Sequence, residues 1–373
     1  MKVQKLTCAG YRNLQEMEWS PCDGVNILYG DNAQGKTNLL EAVWLFTGGR
    51  SFRGARDADL VGFGKEKALL HMAFYAQDRA QEADMTIQKR RSVVLNGVTQ
   101  PAPSHLTGRF CAVVFSPAHL SLIKDGPEER RRFLDAAYCQ LRPGYIAVLA
   151  EYTRTLAQRN ALLKDTRSGV LARSYCDEML DIWDQKLAQA GARVMMARES
   201  YVKKIGPLAA AIYDGLSGGK ERFSIGLGEA GGISAEVSSG NAASWLYERL
   251  KTARPADMAA GFTTVGPHRI DLDVRIDGSS ARTFGSQGQQ RSAVLALKLA
   301  EASILREVTG EQPVALLDDV MSELDVWRQD YVLNHIHDWQ VFITCCDPAA
   351  IRRLDGGCVF HMKDGGITRE TAE

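Results

Sequence analysis

The chain has 373 residues, 45% hydrophobic and 24% charged, a globular composition that excludes a disordered or collagen-like polymer. Lysine plus arginine and aspartate plus glutamate each number 45, so the net charge is zero and a globally basic nucleic-acid binder is excluded. A local basic patch is not, because phosphate binding depends on where the charge sits. At about 150 residues per domain the length predicts two domains, or one domain with a large insertion. No apolar run approaches the roughly 20 residues that span a bilayer, and Met1–Lys5 leads into no apolar stretch. A cytoplasmic protein without a membrane partner is expected. The eight cysteines form no C-x-x-C pair and the histidines lack metal-ligand spacing, so reduced, mostly buried thiols are expected.

Taken in chain order, Val25–Tyr29 is a short apolar strand. Lys36–Phe46 carries Leu39, Leu40, Val43, Trp44 and Phe46 at helical spacing and stops at Gly48-Gly49. Between them, Gly30-Asp31-Asn32-Ala33-Gln34-Gly35-Lys36-Thr37 matches G-x-x-x-x-G-K-[ST]. Such a loop between strand and helix lets backbone N–H groups approach phosphate. Lys36 would reach the β/γ phosphates of ATP, and the Thr37 hydroxyl would ligate Mg²⁺. Residues 68–115 read as alternating strands, in which Lys89-Arg90-Arg91 and Asn96-Gly97 look like a hairpin with its turn.

The pattern turns helical and charged after Gly126-Pro127. Tyr145, Leu149, Tyr152, Leu156 and Leu163 keep a 4-3-4 spacing with Arg159 in the missing slot. Trp183, Leu187, Ala190, Val194, Ala197 and Tyr201 do the same, so two helices should pack together, and Pro207 should kink or end the second. The expected architecture is an α/β head, residues 1–125 and 259–373, split by a mostly helical insert over 126–258. Leu216-Ser217-Gly218-Gly219-Lys220 looks like a transporter-type signature, but no helical run follows it and it reads as a turn.

Ser286-Gln287-Gly288-Gln289-Gln290-Arg291 opens a helix to about Val308, capped by Gly310. A hydroxyl and a glycine-opened helix N-terminus can cap a phosphate, so Ser286, Gln287, Gly288 and Gln289 are candidate contacts to the nucleotide of a second copy. Val314–Asp318 is a buried strand ending in two carboxylates. Asp318 is placed to hold Mg²⁺ with Thr37, and Asp319 to polarise the attacking water. Ser322-Glu323-Leu324-Asp325 follows at the expected seam of a dimer. Thr344 stands at the end of the next strand, where transporter ATPases keep a histidine.

These three motifs, with the helical insert, resemble the ABC-type ATPases of the SMC class, and more closely the RecF family of bacterial recombination mediators. Further residues carry the likeness: Tyr11-Arg12-Asn13, Asn38 to Ala42, Ser51-Phe52-Arg53, Pro127 to Asp135, Gln158-Arg159-Asn160 and Gly266-Pro267-His268-Arg269. Two departures are Leu14 after Asn13 and Ile270 before Asp271. The resemblance implies a weak, DNA-stimulated ATPase whose ATP-dependent homodimer clamps double-stranded DNA near single-strand gap junctions. It implies action with RecO and RecR in loading RecA during repair, replication and the SOS response, and nucleotide contacts from Arg12 and Asn13. Candidate DNA contacts are Arg53, Arg56, Lys89, Arg90, Arg91, Arg130, Arg131 and Arg132, each of which could equally be a surface charge. The alternatives are another SMC-like ATPase acting on DNA or a transporter ATPase subunit, which would lack the insert.

Overall fold

The computed structural model describes residues 1–120, 122–228, 240–336, 338–346 and 357–370. In chain order the elements are β1 (Lys2–Ala9), β2 (Met17–Trp19), β3 (Val25–Tyr29), α1 (Lys36–Leu45), β4 (Ala68–Ala76), β5 (Arg79–Ile87), β6 (Arg91–Leu95), β7 (Val98–Gln100), β8 (Ala112–Phe115), α2 (Pro117–Leu120), α3 (Pro127–Leu141), α4 (Tyr145–Arg167) and α5 (Arg173–Ser217). There follow β9 (Phe223–Gly228), α6 (Ala242–Ala260), β10 (Asp271–Ile276), β11 (Ser279–Ser280), α7 (Ala281–Phe284), α8 (Gln287–Thr309), β12 (Val314–Asp318), α9 (Val326–His335), β13 (Val341–Cys345), β14 (Cys358–Lys363) and β15 (Gly366–Arg369).

Two compact units result, one of residues 1–124, 208–222 and 285–373, the other of 125–207 and 223–284. The first is the α/β head. Its antiparallel sheet, ordered β2-β1-β4-β5-β6-β7, alternates buried and exposed residues along β4 and β5, the mark of strands with one covered face. The turn between β6 and β7 holds Asn96 at φ 49° and Gly97 at φ 77°, as a two-residue hairpin requires. The other sheet, β15-β14-β3-β13-β12-β8, is parallel except for its β15 edge, and β8 and β12 are buried along their whole length. Leu39, Leu40 and Val43 of α1 share one apolar cluster with Leu6, Met72 and Phe74 of the first sheet and Leu28, Leu316 and Phe342 of the second. That packing fixes the start of α1 against both sheets.

The second unit is mostly helical. Tyr145 and Tyr152 of α4 pack with Leu187, Ala190, Val194 and Ala197 of α5 and with Leu246 and Leu250 of α6, which realises the heptad spacing. Arg159, in the empty slot, is fully buried and donates to Asp184 at 2.6 Å and to Asp257 at 2.6 Å.

Three expectations change. Pro207 does not end α5, which continues to Ser217, although the division between the units falls there. The units also divide differently from the predicted 126–258 insert: residues 208–222 cluster with the head, and 259–284 with the helical unit through the β9–β10 pairing. And the thiols are not all free. Cys22 and Cys358 form a disulfide across 336 residues, their Cα atoms 6.1 Å apart, because β14 pairs beside β3 just after Cys22. Among the described residues, no helix is long and apolar enough to cross a membrane.

Candidate nucleotide site

In the parallel sheet β3 lies between β14 and β13, and β12 lies beyond β13. Thr344 of β13 is in register with Leu28 of β3 on one side and Asp318 of β12 on the other. The carboxyl ends of these strands therefore open on one edge, where α/β sheets bind their ligands.

The loop after β3 is held by its surroundings. Gly30 has φ +150°, and a Cβ there would lie 2.2 Å from the Met362 carbonyl oxygen of β14. Ala33, at φ 66°, is held by Asn13, whose Nδ2 donates to its carbonyl at 2.8 Å. Asn38 in turn donates to Asn13 Oδ1 at 2.7 Å. From the C-terminal hairpin, the Asp364 N–H donates to Gln34 Oε1 at 2.5 Å. Gly35 then turns the chain into α1 with no side-chain cap, so the first-turn N–H groups of that helix stay available to an anion.

Lys36 is buried, and its ammonium donates to the carbonyls of Gly30 at 2.6 Å and Asp31 at 2.9 Å, with Cys346 Sγ at 3.9 Å. Thr37 Oγ1 donates to Asp318 Oδ1 at 2.7 Å, which joins residues 281 positions apart. Burial pushes the Asp318 carboxyl above its ordinary pKa, and the Thr37 and Thr344 hydroxyls draw it back. A hydroxyl and a carboxylate at this separation are hard oxygen donors of the kind Mg²⁺ takes beside phosphate and water, so the residues fit the cation. Among the described residues no cluster of three or more His, Cys, Asp or Glu side chains would hold a metal without such help.

Asp319 follows at φ 49°, and its N–H donates to Thr344 Oγ1 at 2.8 Å. Arg12 does not face the loop as a free cation. It forms a bidentate pair with Glu41 of α1 at 2.9 Å and donates to the Asp59 carbonyl. Tyr11 and Ser51 also donate to Glu41, which is completely buried. Glu41 is thus the hub that seats Arg12-Asn13 against the loop. Its sequence signal was only an acidic residue on the covered face of a helix.

Ser286 is the N-cap of α8. Its Oγ accepts from the Gln289 N–H at 3.2 Å, and its own N–H donates to Gln289 Oε1 at 2.7 Å. Ser286 and Gln287 are exposed, while Gly288 and Gln289 are half-buried. Arg291 pairs with Glu323 at 2.7 Å, and Arg328 donates to Ser292 Oγ at 2.8 Å, so α8 and the Ser322–Asp325 turn are tied together. Leu216–Lys220 is the frayed end of α5: Gly218 and Gly219 have positive φ, and the Gly219 N–H closes on the Asp214 carbonyl.

The basic candidates separate. Arg53, Arg56, Lys89, Arg90 and Arg132 are exposed. Arg53 donates to Asn38 Oδ1 at 2.8 Å, and Arg132 pairs with Glu128 and Glu129. Arg131 is half-buried, and burial lowers its pKa. Two are corrections. Arg130 is buried and pairs with Asp271 at 2.7 Å. The Arg91 side chain is 6% exposed and pairs with Asp57 at 2.9 Å. Both charges are neutralised inside the fold, so neither is offered to DNA phosphate.

Residues 2–368 match the model of the RecF/RecN/SMC N-terminal domain. The chain is 37% identical to the DNA replication and repair protein RecF of Agathobacter rectalis, over 98% of this chain and 99% of that one. It is 36% identical to the protein of the same name from Acetivibrio thermocellus, over 97% and 98%. Among solved structures it is similar to the recombination mediator protein RecF-ATPrS in the RecFOR pathway, with TM-score 0.91, 35% identity, and 99% and 98% coverage. An Smc head bound to the C-winged helix domain of ScpA has TM-score 0.55 at 16% identity, a likeness of fold alone.

Proposed function

The chain belongs to the RecF family, and from that premise we propose that it is an ATP-dependent DNA-binding protein of recombinational repair and replication, with ATP as the switch. The observation that carries this is the 2.7 Å bond between Thr37 and Asp318, because it brings the phosphate loop and the paired carboxylates into one place. The family's RecF-ATP structure supports ATP as the nucleotide.

The residues divide the work. The uncapped N-terminus of α1 receives phosphate oxygens, and Lys36 exchanges its loop carbonyls for the β/γ phosphates. Thr37 and Asp318 hold Mg²⁺, which when bound neutralises charge on the phosphates. Asp319 orients the attacking water and accepts its proton. Ser286, with the N–H groups of Gln287, Gly288 and Gln289, caps the nucleotide of a second copy, so ATP joins the two protomers and hydrolysis parts them. DNA stimulates this slow hydrolysis. The closed dimer clamps duplex DNA at single-strand gap junctions and acts with RecO and RecR to load RecA in the SOS response. Its phosphate contacts come from Arg53, Arg56, Lys89, Arg90, Arg131 and Arg132, are sequence-independent, and weaken as salt rises.

Mass in solution with and without ATP tests the switch. Ser286→Arg should bind ATP as a monomer yet fail to dimerise or hydrolyse it. Normal ATP-dependent dimerisation by this variant would remove Ser286 from the seam and overturn the clamp.

A further inference from the structure

Thr344 is fully buried at the carboxyl end of β13, between the strand that feeds the phosphate loop and the strand that ends in the two carboxylates. Its hydroxyl is used in both directions. Oγ1 donates to Asp318 Oδ1 at 3.0 Å and accepts the Asp319 N–H at 2.8 Å. A hydroxyl has one hydrogen to give, so this arrangement fixes its rotor. The accepted N–H belongs to a residue at φ 49°, a conformation uncommon for any side chain other than glycine, though less so for aspartate. A residue held there persists only when its surroundings determine it.

We propose that Thr344 is the positioning residue of the hydrolytic step: its one hydroxyl sets the backbone of Asp319, and hence the direction of that carboxylate, relative to Asp318. This rests on the reading of Asp318 and Asp319 given above. Asp318 Oδ1 now accepts from Thr37 and Thr344 together. Were Thr37 to hold the cation, its hydrogen would turn away from Asp318, and Thr344 would remain the hydroxyl that keeps the carboxylate from rotating. The Thr344 hydroxyl contacts Asp318 and the Asp319 backbone, and it acts through the two aspartates.

The experiment compares Thr344→Val, Thr344→Ala and Thr344→Ser with the wild type and with Asp319→Asn. Valine keeps the shape and suits a buried strand, alanine removes the hydroxyl without adding a methyl, and serine keeps the hydroxyl. ATP turnover, ATP affinity and thermal midpoint are measured for each. The Val and Ala variants should lose at least tenfold in kcat, with ATP affinity within about twofold of the wild type, because the donors to phosphate are untouched. Serine should restore most of kcat. Should the valine variant not fold, the alanine and serine pair decides the same question. Val or Ala variants with wild-type kcat beside a slow Asp319→Asn would overturn the proposal while leaving the site assignment standing. A fast Asp319→Asn would instead overturn the assignment of the carboxylates. Loss of thermal midpoint or ATP affinity in step with kcat would make Thr344 a packing residue only, which also overturns the proposal.

Discussion

Around Arg159 in the helical unit, Asp184, Asp257, Arg254, Asn160 and Thr263 close on one another. The guanidinium donates to both carboxylates and to Thr263, Arg254 donates again to Asp184, and Asp257 also accepts from Thr264. Around Asp318 in the head the pattern is looser. Lys36 rests on carbonyls, Thr37 spends its hydrogen on a carboxylate, and the start of α1 has no side-chain cap. Both clusters are buried and charged. In the first, the charges are matched by protein groups, with two carboxylates facing two guanidiniums, although Arg159 Nη2 is buried without a hydrogen-bond partner. In the second, the contacts are ones that ATP and its cation would replace. A polar cluster whose charges are matched within the protein is architecture, and one whose partners are exchangeable is a site.

The comparison can be broken at either end. The largest effect is expected from Lys36→Ala, which should abolish ATP binding in a calorimetric titration while leaving the thermal midpoint nearly unchanged, since the lost bonds are to loop carbonyls. Arg159→Met should do the reverse. It leaves the buried Asp257 without its cation and Asp184 with Arg254 alone, and should cost about 3–5 kcal/mol of stability by denaturant titration. An Arg159 variant as stable as the wild type would mean that the cluster is not structural. Asp319→Asn should still bind ATP but hydrolyse it roughly 100-fold more slowly, because the water loses its proton acceptor. The smallest effect concerns pH. His268 accepts from the Tyr152 hydroxyl at 2.6 Å, and its other ring nitrogen, 3.0 Å from the Thr263 carbonyl, must carry the proton. Burial and the nearby Arg269 and Arg131 lower its pKa to about 4. The neutral ring therefore contributes stability above pH 6.5 that is lost as pH falls from 6.5 toward 4, since the unfolded chain takes up the proton first. His268→Gln should flatten that slope, by on the order of 1–3 kcal/mol across the window. An unchanged slope would assign the acid sensitivity to other groups.

Much of the head was legible because its chemistry is contiguous. Eight consecutive residues spell the phosphate loop, and the strand before and helix after it follow from apolar spacing. The two carboxylates end a strand recognisable by its unbroken apolar run. What stayed hidden depends on partners distant in the chain. Arg159 was visible as an interruption, but Asp184 and Asp257 stand 25 and 98 residues away. Arg130 reads as part of a basic run until Asp271 is placed beside it, 141 residues on. The family resemblance implied a nucleotide contact from Arg12, and nothing local shows that it pairs with Glu41. The Cys22–Cys358 pair has no local signal at all.

The neighbours of β3 also fix an order of events in synthesis. This strand leads into the phosphate loop, yet among the described residues it pairs only with β13 and β14, at Val25 with Val341 and at Asn26 with Cys358. When the ribosome has made the loop and α1, neither partner strand exists. At about 5–20 residues per second, some 300 further residues take on the order of 15–60 s. The helical unit, whose residues all lie before 285, can assemble within that interval. The ATP-binding edge therefore closes after the helical unit, and a ribosome stalled before β13 and β14 emerge would hold a nascent chain with its helical unit complete and an apolar β3 exposed to chaperones or to a neighbouring chain.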